Sequence, residues 1–389
     1  MRRLSAIIGL QAYALVLACA QAAGGVRTDE AKYLLNIPYP HPPLLRWAMS
    51  LTEAFPLQDI FWRVVWATLF IQAVWFVWDI ARSLPRASRL AACACWLLSA
   101  GIVLWAGSIY LSIINALQAL VLVWLLSRQT LANRHPVLTA LFWTGMLFSG
   151  LQAVLYLPLM VALTWKMRRS VVDIIIYALL PMGLLALYAL SNPLVIAGIA
   201  HRGGIESAAS LTYKLYHTVR LWLIAGSGIV SILGVTGMIV SCRKELLASF
   251  GLVTLFLLLR WNEYNSVLFV PLLVMGAIIV LERWPRLARP FVAVLVPCCV
   301  LFVLAFPLQA SPSPASIVGH EFADGDMEGL VLINGDFGHE WQYALENDIR
   351  KFHPDLVDEA AAIVCLEPCA LSAGWERKVG WPVETWVKQ

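Results

Sequence analysis

The chain has 389 residues, of which 60% are hydrophobic and only 13% charged, and its formal charge is +4. Soluble domains carry about 25% charged residues, so a water-soluble globular protein is excluded. The surplus positive charge makes no nucleic-acid surface, because it is spread in short clusters between apolar runs.

Arg2 and Arg3 precede the run Leu4 to Ala23, which ends in the small residues "ACAQAA". A signal peptide would read similarly, but this apolar run exceeds the usual h-region of about 7–15 residues, so an uncleaved first helix is expected. The polar stretch "TDEAKYLLNIPYPHPPLLRW" follows, and then "PLLRWAMSLTEAFPL". There Leu44, Leu45, Trp47, Ala48 and Leu51 recur at helical spacing, which predicts an amphipathic helix lying on the outer membrane surface.

Beyond it, basic clusters punctuate the apolar runs: Arg82, Arg86 and Arg89; Arg128 and Arg134; Lys166, Arg168 and Arg169; Arg243 and Lys244; Arg283, Arg286 and Arg289. Short basic loops mark the cytoplasmic side, so the clusters count crossings. Ile60 to Trp78 crosses inward, Leu90 to Leu126 crosses twice, and Val137 to Trp165 crosses twice through short, tilted or re-entrant halves that break near Ser149-Gly150. Val171 to Leu190 goes out and, after a second outer loop, Val219 to Val240 returns. Leu246 to Leu281 makes an out-and-back pair around "RWNEYN", and Phe291 to Pro307 delivers the acidic tail outside. The sum is a polytopic α-helical membrane protein with about eleven transmembrane helices, N-terminus inside and C-terminus outside, in a cytoplasmic (inner) membrane.

Two parts are expected: a transmembrane domain over 1–309, with its first outer loop at 24–59, and a small extracytoplasmic α/β domain over 310–389. "QASPSPAS" reads as a linker, "GLVLING" and "AAIVCL" as strands, and "HEWQYALENDIRKF" as an amphipathic helix. Six of the eight cysteines fall in or beside apolar runs. Cys365 and Cys369, in "CLEPC", are open to two readings, a disulfide or two free thiols.

The acidic pair Asp29-Glu30 is the feature most suggestive of chemistry. A carboxylate at the outer membrane face can take a proton from an attacking hydroxyl; acids alone in an outer loop would more often be a solvated helix cap. Tyr33 and the Pro-stiffened His41 beside them favour chemistry. Asp-Glu-Ala-x-Tyr at Asp29–Tyr33, followed by His-Pro-Pro-Leu at His41–Leu44, resembles the opening signature of bacterial lipid-linked sugar glycosyltransferases of the GT-C fold. That superfamily includes the dolichyl-phosphate-mannose protein mannosyltransferases and the aminoarabinose transferase of lipid A.

The resemblance implies an inverting transferase that moves a sugar from a polyprenyl-phosphate donor to a glycan, lipid or protein acceptor. Asp29 would match the catalytic base and Glu30 its acidic neighbour, with Tyr33 and His41 beside the substrate. The leaving phosphate needs positive charge or hydrogen-bond donors at the membrane surface. Lys214, Arg220 and Arg260 lie at outer helix ends, with Asn262 and Tyr264 beside Arg260. Each of these basic residues could instead simply snorkel to the interface, and Arg63 is open to snorkelling or to pairing with an acid. A divalent cation near Asp29, Glu30 and His41 is a weaker reading. "DGDMEG" at Asp324–Gly329 resembles a calcium loop, yet its twelfth position is Gly335 rather than Glu.

A transporter or flippase of an amphipathic lipid is the rival reading, and a non-enzymatic membrane scaffold is a third. Transporters keep ionisable groups near the bilayer midplane. Here Asp79, Asp173 and Glu245 fall at cytoplasmic helix ends, and Asp29, Glu30, Glu206 and Glu263 at outer ones. That arrangement favours chemistry at the surface.

Overall fold

The computed structural model describes residues 2–38, 40–168, 170–196, 210–259, 262–306, 313–321, 329–345, 348–369, 374–379 and 383–388. Among them, five helices are long and apolar enough to cross a membrane: Leu4–Ala22, Gln58–Ser83, Val171–Ser191, Glu263–Arg283 and Pro285–Ala305. A sixth results if the bent pair Leu211–Ala225 and Ile229–Val240 counts as one span. The protein is therefore a polytopic helical protein, but among the described residues five or six helices, rather than the eleven expected from its basic clusters, are long and apolar enough to cross.

The reason is local. The Leu90 to Leu126 run, expected to form two crossings, is divided into helices Arg86–Leu97, Ala100–Trp105 and Leu111–Ser127. The run from Val137 to Trp165 divides at Gly150 into Pro136–Ser149 and a short 3-10 and α-helical segment, as its length required. The Val219 to Val240 crossing is bent by 97°. At that bend Ser227 (φ 51°) and Gly228 (φ 69°) both take left-handed backbone angles. Ser227 then ties two helix breaks together, because its Oγ accepts from Ala100 N at 2.8 Å and donates to Leu98 O at 2.8 Å. Broken apolar helices persist here because protein rather than lipid surrounds the freed backbone groups.

The core is one large apolar cluster at the centre of the bundle. Trp96 stacks on Phe70 with centroids 5.6 Å apart and donates its indole N–H to Phe70 O at 2.7 Å. The first helix, Arg2–Ala22, lies along Gln58–Gln72, where Gln11 donates to Thr68 Oγ1 at 2.9 Å. At one end of the bundle Asp79 accepts from Arg128 Nε at 2.7 Å and from Trp124 Nε1 at 2.8 Å. A short helix, Leu44–Ser50, forms within the stretch expected to be amphipathic, with Trp47, Leu51, Phe55 and Leu57 exposed in and after it.

The C-terminal part is a five-stranded mixed sheet of order β2-β1-β3-β5-β4, with β1 at Leu330–Asn334, β2 at Asp348–Lys351, β3 at Ala360–Cys365, β4 at Trp375–Val379 and β5 at Glu384–Lys388. β1 pairs in parallel with β2 and β3, whereas β5 pairs antiparallel with β3 and β4. Helices Pro314–Glu321 and His339–Leu345 cover one face through Ala315, Val318, Trp341 and Leu345. The amphipathic helix expected over "HEWQYALENDIRKF" is thus only half formed, and its second half is the edge strand β2. The stretch expected as a linker ends in a helix that starts at Pro314. Cys365 and Cys369 are joined in a disulfide.

Candidate active site

The short helix Thr28–Leu34 places the acidic pair. A helix turns about 100° per residue, so neighbours point to different surroundings. Glu30 turns inward and is 2% exposed. Its carboxylate accepts two bonds from Arg63, at 2.9 and 2.6 Å, and one each from Ile109 N at 2.9 Å and Arg27 N at 3.0 Å. Arg63, 1% exposed, also donates to Gly25 O at 2.9 Å and Gly107 O at 3.3 Å. This buried bidentate pair locks the loop after the first helix onto the bundle. Arg63 pairs with an acid rather than snorkelling.

Asp29 faces the other way, and its side chain remains 27% exposed. Lys32 Nζ donates to its Oδ1 at 3.0 Å and the Tyr264 hydroxyl to its Oδ2 at 3.1 Å. A carboxylate offers about four lone-pair positions, so acceptor capacity is left for a substrate hydroxyl. Tyr264 is held in turn by Asn262, whose amide donates to its hydroxyl at 2.9 Å, and by stacking on Tyr110 at 4.1 Å. Burial, followed by the nearby carboxylate of Glu30, pushes the Tyr110 phenol well above its ordinary pKa, so it stays neutral beside Asp29.

Two openings meet at Asp29 and Tyr110. The first is a cavity of about 380 Å³ that also holds Tyr33, His41, Ser112, Gln152, Asn262, Tyr264 and Asn265. Its other wall is apolar, built from Leu111, Leu151, Val154, Leu155, Val195 and Phe256. The second, of about 470 Å³, is a cleft against the C-terminal part, bordered by Arg27, Thr28, Asp336, Glu340, Trp341 and Leu366. Thr28 Oγ1 donates to Glu340 there, and Ser313 N donates to Gly24 O at 3.2 Å.

The structure thus gathers Asp29, Tyr33, His41, Asn262 and Tyr264 around one cavity. Arg220 does not line it: its guanidinium bonds Glu263 at 2.6 Å and lies over the Phe306 ring at 4.6 Å. Lys214, near the start of helix Leu211–Ala225, does not line it either. Arg260, Glu206 and the acids Asp324, Asp326 and Glu328 of the calcium-like turn lie outside the described residues. With Glu30 committed to Arg63, the triad Asp29, Glu30 and His41 does not form a ligand set. Among the described residues no three His, Cys, Asp or Glu side chains gather as one.

Sequence reasoning missed Tyr110, Ser112, Gln152 and Asn265. For the first three the signal is a polar residue inside an apolar run, as in "IYLSIINALQ" and "FSGLQAV", where burial without a purpose would be unfavourable, whereas Asn265 closes the polar stretch "RWNEYN". No protein-family model matches the chain, and no curated protein matches it in sequence.

Proposed function

We propose that the protein is an inverting glycosyltransferase that moves a sugar from a polyprenyl-phosphate donor to a hydroxyl acceptor at the outer face of a membrane. The observation that carries this reading is the position of Asp29, a partly exposed carboxylate at the junction of a half-apolar cavity and a polar cleft. The prenyl chain would lie along Leu151, Val154, Leu155 and Phe256, and the acceptor would arrive from the cleft under the C-terminal part.

In the reaction the acceptor oxygen attacks the anomeric carbon from the face opposite the phosphate. Asp29 takes the hydroxyl proton as the new C–O bond forms. The old C–O bond breaks, and its electron pair leaves on the lipid phosphate. His41, Asn262 and Asn265 supply nitrogen donors along the cavity toward that developing charge. Tyr264 and Lys32 fix the carboxylate's orientation, which is the part of catalysis that positioning supplies.

The test is native mass spectrometry of protein purified gently from its own membranes, paired with a transfer assay. Retention of a polyprenyl phosphate, bare or sugar-bearing, is the expected result. Asp29→Asn should retain the lipid and lose transfer by a factor on the order of 10²–10⁴. Transfer that persists unchanged in Asp29→Asn would remove the base from the mechanism. Movement of an intact lipid across vesicles, with no sugar transferred, would make the protein a transporter instead.

A further inference from the structure

We propose that a groove at the basic end of helices Ile229–Val240 and Val270–Arg283 binds one acidic phospholipid of the leaflet on that side of the membrane. The groove shares no residue with the cavity or the cleft at Asp29, and the proposal does not depend on the chemistry there.

The groove has a volume of about 600 Å³, within the range of about 300–1,000 Å³ that ligand sites occupy. Leu233 and Thr236 line it from the first helix, Val280 and Arg283 from the second, and Arg286 and Leu287 from the 3-10 turn Pro285–Leu287. The two helices touch at glycine, where a Cβ on Gly237 would collide with Gly276 O. Val280 and Arg283 follow Gly276 by about one and two turns, so the groove runs from that contact toward the end of the pair.

The charge at its mouth is unmatched. Among the described residues the guanidinium groups of Arg283 and Arg286 form no ion pair and no hydrogen bond. Glu282, the nearest acid in the chain, is exposed and does not line the groove. Arg283 lies over the Trp284 ring at 5.3 Å, a contact that engages the face of a guanidinium and leaves its N–H edge for a phosphate. One arginine at the end of a span only needs to snorkel to the interface. Two that border the same apolar groove make a receptor for an anion with a hydrocarbon tail.

The walls decide which anion. Val280 and Leu287 belong to the segments Glu263–Arg283 and Pro285–Ala305, each apolar enough to cross a membrane. The neighbour of the groove at that depth is acyl chain rather than water, and its two arginines stand at the level of the headgroups. A soluble phosphate would meet the arginines and leave Leu233 and Leu287 uncovered. A zwitterionic lipid would bring a cation toward them along with its phosphate. A phospholipid of net negative charge satisfies both the arginines and the apolar wall.

Native mass spectrometry of the full-length protein in detergent, with dioleoyl-phosphatidylglycerol and dioleoyl-phosphatidylcholine added at equal concentration, reads the ratio of the two single-lipid adducts. Wild type should favour phosphatidylglycerol by about tenfold or more. Arg283→Gln/Arg286→Gln should bring the ratio near one. Arg82→Gln/Arg134→Gln removes the same charge from other basic clusters and should keep it. Thr236→Phe leaves both arginines but fills the groove, and it should lower the ratio as well. Thr236 is exposed, so this variant carries the test if the double arginine variant fails to fold. A wild type without preference, a site variant that keeps the wild-type ratio, or an equal fall in the Arg82/Arg134 control would overturn the site. So would displacement of the lipid by an equal concentration of glycerol phosphate, because the acyl chains would then contribute nothing.

Discussion

Asp29 and Glu30 are adjacent carboxylates with opposite fates, and the difference is one of direction. Glu30 is enclosed by Arg63 and two backbone N–H groups, whereas Asp29 looks into open volume. Breaking a buried ion pair from one side leaves the other charge uncompensated, at a cost of about 3–5 kcal/mol. Arg63→Met should therefore lower the thermal midpoint in detergent sharply, and the double variant Arg63→Met/Glu30→Gln should recover part of the loss. A midpoint unchanged in the single variant would show that the pair is dispensable. Tyr264→Phe tests orientation: it removes one hydrogen bond to Asp29, should slow transfer by about tenfold, and should leave donor retention as it was. Asp29 could be picked out from the sequence because an acid, a tyrosine and a Pro-stiffened histidine stand together after the first apolar run. Glu30's commitment could not, since Arg63 lies 33 residues further on and both its snorkelling and its pairing fit the same letters.

At the scale of elements, the helix breaks decide how the bundle is built. Hydropathy measures how apolar a stretch is but not where it turns, so the break at Gly150 is foreseen from the length of its run, whereas Ser99 and Ser227-Gly228 pass unnoticed inside continuous apolar runs. The crossing count fails for that reason, while the unbroken runs Ile60 to Trp78 and Val171 to Leu190 fall within helices where expected, and the run that begins at Phe291 is helical to Ala305. One close packing is written in glycine: helix Ile229–Val240 meets helix Val270–Arg283 where Gly234 and Gly237 face Gly276. A Cβ at Gly234 would lie 2.6 Å from the Leu273 backbone, and one at Gly276 would collide with Gly234 O. Small residues at such a crossing let helices approach closely enough to gain packing in a membrane. Gly276→Val should force the pair apart and reduce the yield of folded protein, read as loss of the monodisperse peak in size-exclusion chromatography. An unchanged peak and midpoint would refute it. In the C-terminal part the apolar runs of β1 and β3 were readable, but β2 was not. Trp341, Leu345, Ile349 and Phe352 keep a helical spacing through it, and only its pairing with β1 makes it a strand.

At the scale of the whole molecule, the C-terminal part does more than hang from the last helix. It borders the cleft at Asp29, and Glu340 accepts from Thr28, the residue beside the proposed base. Glu340→Lys reverses charge at that seam. It should raise KM for the acceptor by about tenfold while donor retention in native mass spectrometry stays as in wild type, since the apolar cavity wall is built by the bundle alone. Equal loss of donor and acceptor binding would show instead that the two openings are a single site. The Thr28–Glu340 bond joins residues 312 positions apart. During synthesis the Asp29 helix is therefore made early and then waits, one wall missing, while the rest of the bundle is inserted. A ribosome that stalls before Glu340 leaves a chain whose long apolar helices are complete but whose cleft is open to water, so translation itself sets the moment at which the cleft beside Asp29 gains its last wall.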